Sequence, residues 1–194
     1  MSEPTNGLTR RELVTLMAAA TVIPTSAQAS DAMRESRRRA AGGAATPKVY
    51  TEHEWQTVRM LVDYLFPRDE RSGSATEAMV PEFMDTMLDL EPGMRTAHRG
   101  GLGWLDHECR ERFGGNFTAI TDAERREMLD DIAWPARARA GYSHGVTWFN
   151  SFRDFAATGF WTSEIGVADI GYMGNIPQPT WPGCPEANLR KLGL

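Results

Sequence analysis

Four histidines and two cysteines are the side chains in this 194-residue chain best suited to binding a metal or attacking a substrate. His98 and His107 are spaced so that they do not share a helix face, and a two-ligand metal site needs that. Asp106, His107, Glu108 and Cys109 are consecutive, so on a helix they point in different directions. No glycine-rich phosphate loop follows a strand, and neither a Gly-x-Ser-x-Gly elbow nor a His-Glu-x-x-His pair occurs. The histidines are therefore expected to be surface or hydrogen-bonded residues. A stand-alone helical enzyme would need an unrecognised site, with His144, Asp154 and Glu164 as its candidates. A scaffold or solute-binding module is the other alternative.

The cysteines differ in setting. Cys109 falls on the apolar side of a helical stretch and reads as a small core residue. Cys184 lies between Gly183 and Pro185 in a proline-rich tail, where it is either a free or locally packed thiol or a covalent tie, to Cys109 or to a partner. Two cysteines do not make a disulfide framework. A formal net charge of -5 argues against a nucleic-acid footprint, because no basic stripe is available to replace counterions. The one basic cluster, Arg34 with Arg37, Arg38 and Arg39, sits in an Ala/Gly-rich stretch that reads as a solvated lead-in.

The N-terminal residues 1–29 have the order of an export leader. Arg10 and Arg11 form a twin-arginine pattern, Leu13 to Ile23 is a short apolar run, and Ala27-Gln28-Ala29 is a small-x-small cleavage site. The apolar run is about half of the ~20 residues a membrane span requires, so no span is expected in the mature chain. This route carries proteins that are already folded, and the destination is the periplasm. Residues 30–47 are expected to be a flexible linker.

Residues 48–158 read as a compact bundle of about five helices, and the fold class is all-α. Thr51 and Glu54 make a capping box, with Tyr50 and Trp55 placed for a hydrophobic staple. Trp55, Val58, Leu61, Val62 and Leu65 then recur at helical spacing until Pro67. Val80, Phe83, Met84, Met87 and Leu88 mark the second helix, with Pro81 in its first turn. The third, about Met94 to Phe113, turns Ala97, Trp104, Leu105 and Cys109 inward, and Gly100, Gly101 and Gly103 predict a close crossing or a kink. A second capping box, Thr121 with Glu124, opens a helix carrying Met128, Leu129 and Ile132 that stops at Trp134-Pro135. The fifth, Gly145 to Thr158, carries Trp148, Phe149, Phe152 and Phe155.

Residues 159–194 lack both the helical and the strand period, yet hold Phe160, Trp161, Tyr172 and Trp181. Glycines at 159, 166, 171 and 174 mark positive φ or close approach, and Pro177, Pro179, Pro182 and Pro185 bias the tail toward extended backbone. Such an arm either folds back on its own helices or lies on a partner protein. The stretch from Gly159 to Gly166, with Thr162 and Ser163 at its centre, and the stretch from Gly171 to Asn175 carry a specific resemblance. Together with the Pro/Trp-containing end and, more weakly, Leu65-Phe66-Pro67, they resemble the gluconate 2-dehydrogenase subunit 3 family, in which Trp161 stands where tyrosine is more usual.

That resemblance implies a small, non-catalytic subunit of a periplasmic FAD-dependent dehydrogenase complex acting on a sugar, glycoside or sugar acid. The flavoprotein of the glucose-methanol-choline type would hold the FAD and do the chemistry. A cytochrome c would accept electrons, any haem or iron–sulfur centre would lie elsewhere in the complex, and this chain would hold no cofactor. Its tasks would be folding, stability and export of the flavoprotein through the twin-arginine translocase. Phe160, Trp161, Thr162, Ser163, Gly166, Tyr172, Asn175, Trp181 and Cys184 are the partner-binding candidates. Cys184 is expected to pair with a cysteine of the large subunit, because Pro182 and Pro185 hold the tail extended.

Overall fold

The computed structural model describes residues 25–41, 46–172, 174, 179–180 and 183–193. Among them are eight α-helices and no strands. In chain order the helices are α1 (Ser26–Ala41), α2 (Glu52–Leu65), α3 (Val80–Leu90), α4 (Arg95–Phe113), α5 (Asp122–Ala133), α6 (Ser143–Thr162), α7 (Glu164–Asp169) and α8 (Glu186–Lys191). The all-α class and the five expected helices, now α2 to α6, are as predicted.

Helix α3 is the axis of the bundle, with every residue from Val80 to Leu88 buried. Its two buried carboxyl groups are accommodated by what surrounds them. Asp85 is fully buried and accepts hydrogen bonds from the backbone N–H groups of Lys48 and Val49, both at 2.9 Å, and from the Arg39 guanidinium at 2.9 Å. One carboxylate thus joins α1, the chain entering α2, and the centre of the core. Such charge-assisted bonds offset the cost of burying the group, which an unpaired carboxylate could not survive. Glu82, one turn earlier, has one carboxyl oxygen buried without a hydrogen bond and faces Arg59 at 3.8 Å; burial pushes its pKa up.

The capping boxes at Thr51–Glu54 and Thr121–Glu124 are both formed, and Tyr50 meets Trp55 with ring centroids 6.2 Å apart. The close crossing predicted from the glycines of α4 occurs at Gly101, where an added Cβ would lie 1.9 Å from the Trp148 ring of α6. The contact is reciprocal, since a Cβ at Gly145 of α6 would lie 2.1 Å from the Trp104 ring of α4. Ala97, expected inward, is exposed; His98, Gly101 and Leu102 take the inner face instead because α4 is rotated to bring Gly101 under Trp148.

Two expectations are corrected. The flexible linker at 30–47 is occupied to Ala41 by α1, whose Ala29, Ala32, Met33 and Ser36 are buried against α3 and α6. Its small residues let the helix approach closely, and Arg39 is drawn in by Asp85. The supposedly aperiodic arm is helical at its start: α6 continues through Thr162, and α7 follows at once. Arg10 and Arg11 lie outside the described residues, as do Asn175 and Trp181. No helix among the described residues is long and apolar enough to cross a membrane.

Candidate partner-binding surface

The corner between α6 and α7 is built from the Gly159–Gly166 stretch. A Cβ at Gly159 would meet the Phe83 ring at 2.7 Å, so only glycine lets α6 rest on the aromatic of α3. Phe160 is buried and stacks on Phe66 at 4.6 Å with an interplanar angle of 9°. Ser163 makes the turn: its hydroxyl donates to the Phe160 carbonyl at 2.7 Å and accepts from the Gly166 N–H at 3.0 Å, capping α7. Gly166 then passes so close that a Cβ would lie 2.1 Å from the Phe160 carbonyl oxygen. The Thr162 hydroxyl donates to the Thr158 carbonyl at 2.6 Å.

The candidate partner residues therefore divide. Phe160, Thr162, Ser163 and Gly166 serve the corner itself: Phe160, Ser163 and Gly166 are buried, and Thr162 is half-buried. Trp161, by contrast, is 39% exposed, Ile170 56% and Tyr172 55%. Trp161 stands edge-on to both Phe66 and Phe160, at centroid distances of 6.0 and 5.0 Å. Such a ring is fixed by its neighbours before anything binds, which lowers the ordering cost of an interface. Two ion pairs fix the corner from outside: Arg37 of α1 with Glu164 at 2.6 Å, and Arg71 with Asp169 at 3.1 Å. Gly171 and Gly174 have φ of 64° and 85°, while Gly159 and Gly166 serve close approach, so the glycines fulfil both expected roles.

One component was not foreseen. Trp134 is 57% exposed at the end of α5, on the rim of a groove of about 380 Å³ lined also by Tyr64, Leu65, Leu129, Phe149 and Arg153. Leu65 lines the groove while its neighbour Phe66 supports Trp161, so the end of α2 connects the two aromatic sites. The signal for Trp134 was available: the residue before a proline is held extended, and a tryptophan there leaves its helix without being folded under it.

Most of the remaining reactive groups, Cys184 excepted, are tied down. His98 is buried, with its Nε2 2.8 Å from the Tyr50 hydroxyl and its ring stacked on Phe152. Burial lowers its pKa to about 4, so it is neutral at physiological pH. His53 pairs with Asp106, which also accepts from the Phe117 N–H at 3.0 Å. Burial pushes the Cys109 thiol up to about 12, with nearby Asp106 adding to the shift. Cys184 is exposed and Cys109 buried, and the two are not bonded to each other in this structure. His144 and Asp154 both belong to α6 and are separated by roughly 15 Å of helix rise, while Glu164 pairs with Arg37. The three do not form a site. Among the described residues, no group of three His, Cys, Asp or Glu side chains is arranged to hold a metal ion.

The sequence model described as Gluconate 2-dehydrogenase subunit 3 matches residues 52–183. No curated protein and no solved structure matches the chain.

Proposed function

We propose, from the premise that this chain belongs to the gluconate 2-dehydrogenase subunit 3 family, that it is the accessory subunit of a periplasmic FAD-dependent sugar, glycoside or sugar-acid dehydrogenase. Catalysis belongs to a flavoprotein partner of the glucose-methanol-choline type, and a cytochrome c takes the electrons. The chain assists folding of that partner and carries the twin-arginine leader on which both are exported. It binds the flavoprotein through Trp161, Ile170 and Tyr172, and Cys184 supplies a covalent tie to it.

One observation carries the binding assignment. The corner, with Phe160, Ser163 and Gly166 buried and Glu164 and Asp169 ion-paired, leaves Trp161 and Ile170 exposed. Burying side chains of this size contributes roughly 1.5–3 kcal/mol each before ordering costs, enough for an interface anchor.

Affinity purification of the tagged chain from its own cells tests the assignment. A flavin-containing protein is expected to come with it, and sugar-dependent dye reduction is expected only in that complex. Turnover by the isolated chain would replace this assignment with an enzyme of its own. Export is tested separately by changing Arg10 and Arg11 to Lys: the flavoprotein is expected to vanish from the periplasmic fraction, and its undiminished presence there would end the carrier role.

A further inference from the structure

The small-x-small sequence at the end of the leader coincides with the first turn of a docked helix. Thr25 caps α1: its hydroxyl accepts from the Gln28 N–H at 3.3 Å, and the Gln28 side-chain oxygen accepts from the Thr25 N–H at 2.8 Å. This is a capping box laid across the positions a signal peptidase would read. Gln28 reaches on to Glu91 at the end of α3 at 2.9 Å, the Ala29 N–H is bonded to the Thr25 carbonyl at 2.9 Å, and the Ala29 side chain is buried.

The rest of α1 holds this turn in place. Ala32, Met33 and Ser36 are buried, and the Ser36 hydroxyl lies 3.3 Å from the Thr86 hydroxyl. Arg39 donates to Asp85, to Thr86 and to the Thr46 carbonyl at 2.9, 2.8 and 2.9 Å. Undocking α1 would take from Asp85 its only cationic hydrogen-bond donor among the described residues and leave a buried carboxylate short of a partner.

A protease that reads a segment in extended form binds its backbone as an added strand, which a hydrogen-bonded helical turn cannot offer until it opens. We propose that docking of α1 blocks cleavage after Ala29, so that the folded chain keeps the residues before Ser30. This rests on the assignment of residues 1–29 as an export leader for folded cargo. Because such cargo folds before it crosses, α1 is docked before the peptidase is met.

The test uses the purified full chain with signal peptidase I in detergent micelles, followed by intact-mass measurement. The wild type is expected to be cut after Ala29 at least about tenfold more slowly than an undocked variant carrying Ala32→Glu and Met33→Glu. Urea-unfolded wild type serves as a second undocked substrate should the variant fail to fold. Equal rates, giving a wild-type product that begins at Ser30, overturn the proposal. So does absence of any cut in both undocked substrates, because docking would then have nothing to block. The mass of the chain from the periplasmic fraction is expected to include residues before Ser30. If the chain is absent from that fraction, the export assignment fails, while the micelle assay still decides the blocking.

Discussion

Two aromatic clusters of this molecule are built with the same materials and end differently. At the α4–α6 crossing, Trp148 rests on Gly101 and Trp104 on Gly145, and the Trp148 N–H donates to the His98 carbonyl at 3.1 Å. At the α6–α7 corner, Gly159 and Gly166 seat Phe83 and the Phe160 carbonyl, but among the described residues no glycine seats the Trp161 ring. The difference separates aromatic rings the chain needs for its own closure from those it presents. A ring seated on a glycine of a neighbouring helix is part of the core; a ring held only at its edges stays at the surface, where the proposed partner would meet it.

Filling the glycine seats is the strongest way to break the closed cluster. Gly101→Val and Gly145→Val are each expected to lose at least about 1–3 kcal/mol, because a rigid indole must be displaced. In a chain of this size that is a fall in Tm of roughly 2–4 °C per kcal/mol, read by thermal denaturation. An unchanged Tm would mean that the two helices separate freely.

Acid acts on the same cluster through His98. Its folded pKa of about 4 lies below the ordinary value of 6.5, so between these limits the unfolded chain binds the additional proton. Stability is full above pH 6.5 and falls toward pH 4, by up to about 1.4 kcal/mol per unit. His98→Gln is expected to flatten that slope in urea titrations at pH 7 and pH 5. An equally steep slope in the variant would assign the acid sensitivity to other groups.

A smaller effect distinguishes the two thiols. In the native chain an aromatic disulfide reagent is expected to titrate Cys184 alone, with Cys109 reacting after denaturation. Cys184→Ser should leave stability within about 0.5 kcal/mol of wild type. Non-reducing electrophoresis of the complex is expected to show a band at the summed subunit mass that Cys184→Ser abolishes; separate subunits in the wild type would remove the covalent tie.

Much of the bundle was legible because its signals are local. The capping boxes at Thr51 and Thr121 and the apolar spacings of α2, α3 and α5 are each contained within a turn or two. The same kind of box, Thr25 to Gln28, was equally present, but the alanines beside it also fit a cleavage site. Nor could α1 be read from hydrophobicity, since Ala29, Ala32 and Ser36 become core residues only against the buried face of α3, with Asp85 to receive Arg39. At the candidate surface, Trp161 and Tyr172 were identifiable as aromatics without a period. That Phe160 turns inward is a tertiary fact, fixed by Phe66 from a segment nearly a hundred residues earlier. Gly159 reads as a helix breaker in sequence, yet α6 runs straight through it because the missing Cβ is required for packing on Phe83.

Under the proposed function, Trp161 is held ready for a partner and does little for the chain itself. Trp161→Ala, with Tyr172→Ala as a companion, should be compared with wild type by thermal denaturation and by titration against the flavoprotein with which the chain purifies. The predicted result is a Tm lowered by no more than a few degrees and an association weakened at least about tenfold. A variant that folds and binds the flavoprotein with wild-type affinity would contradict it.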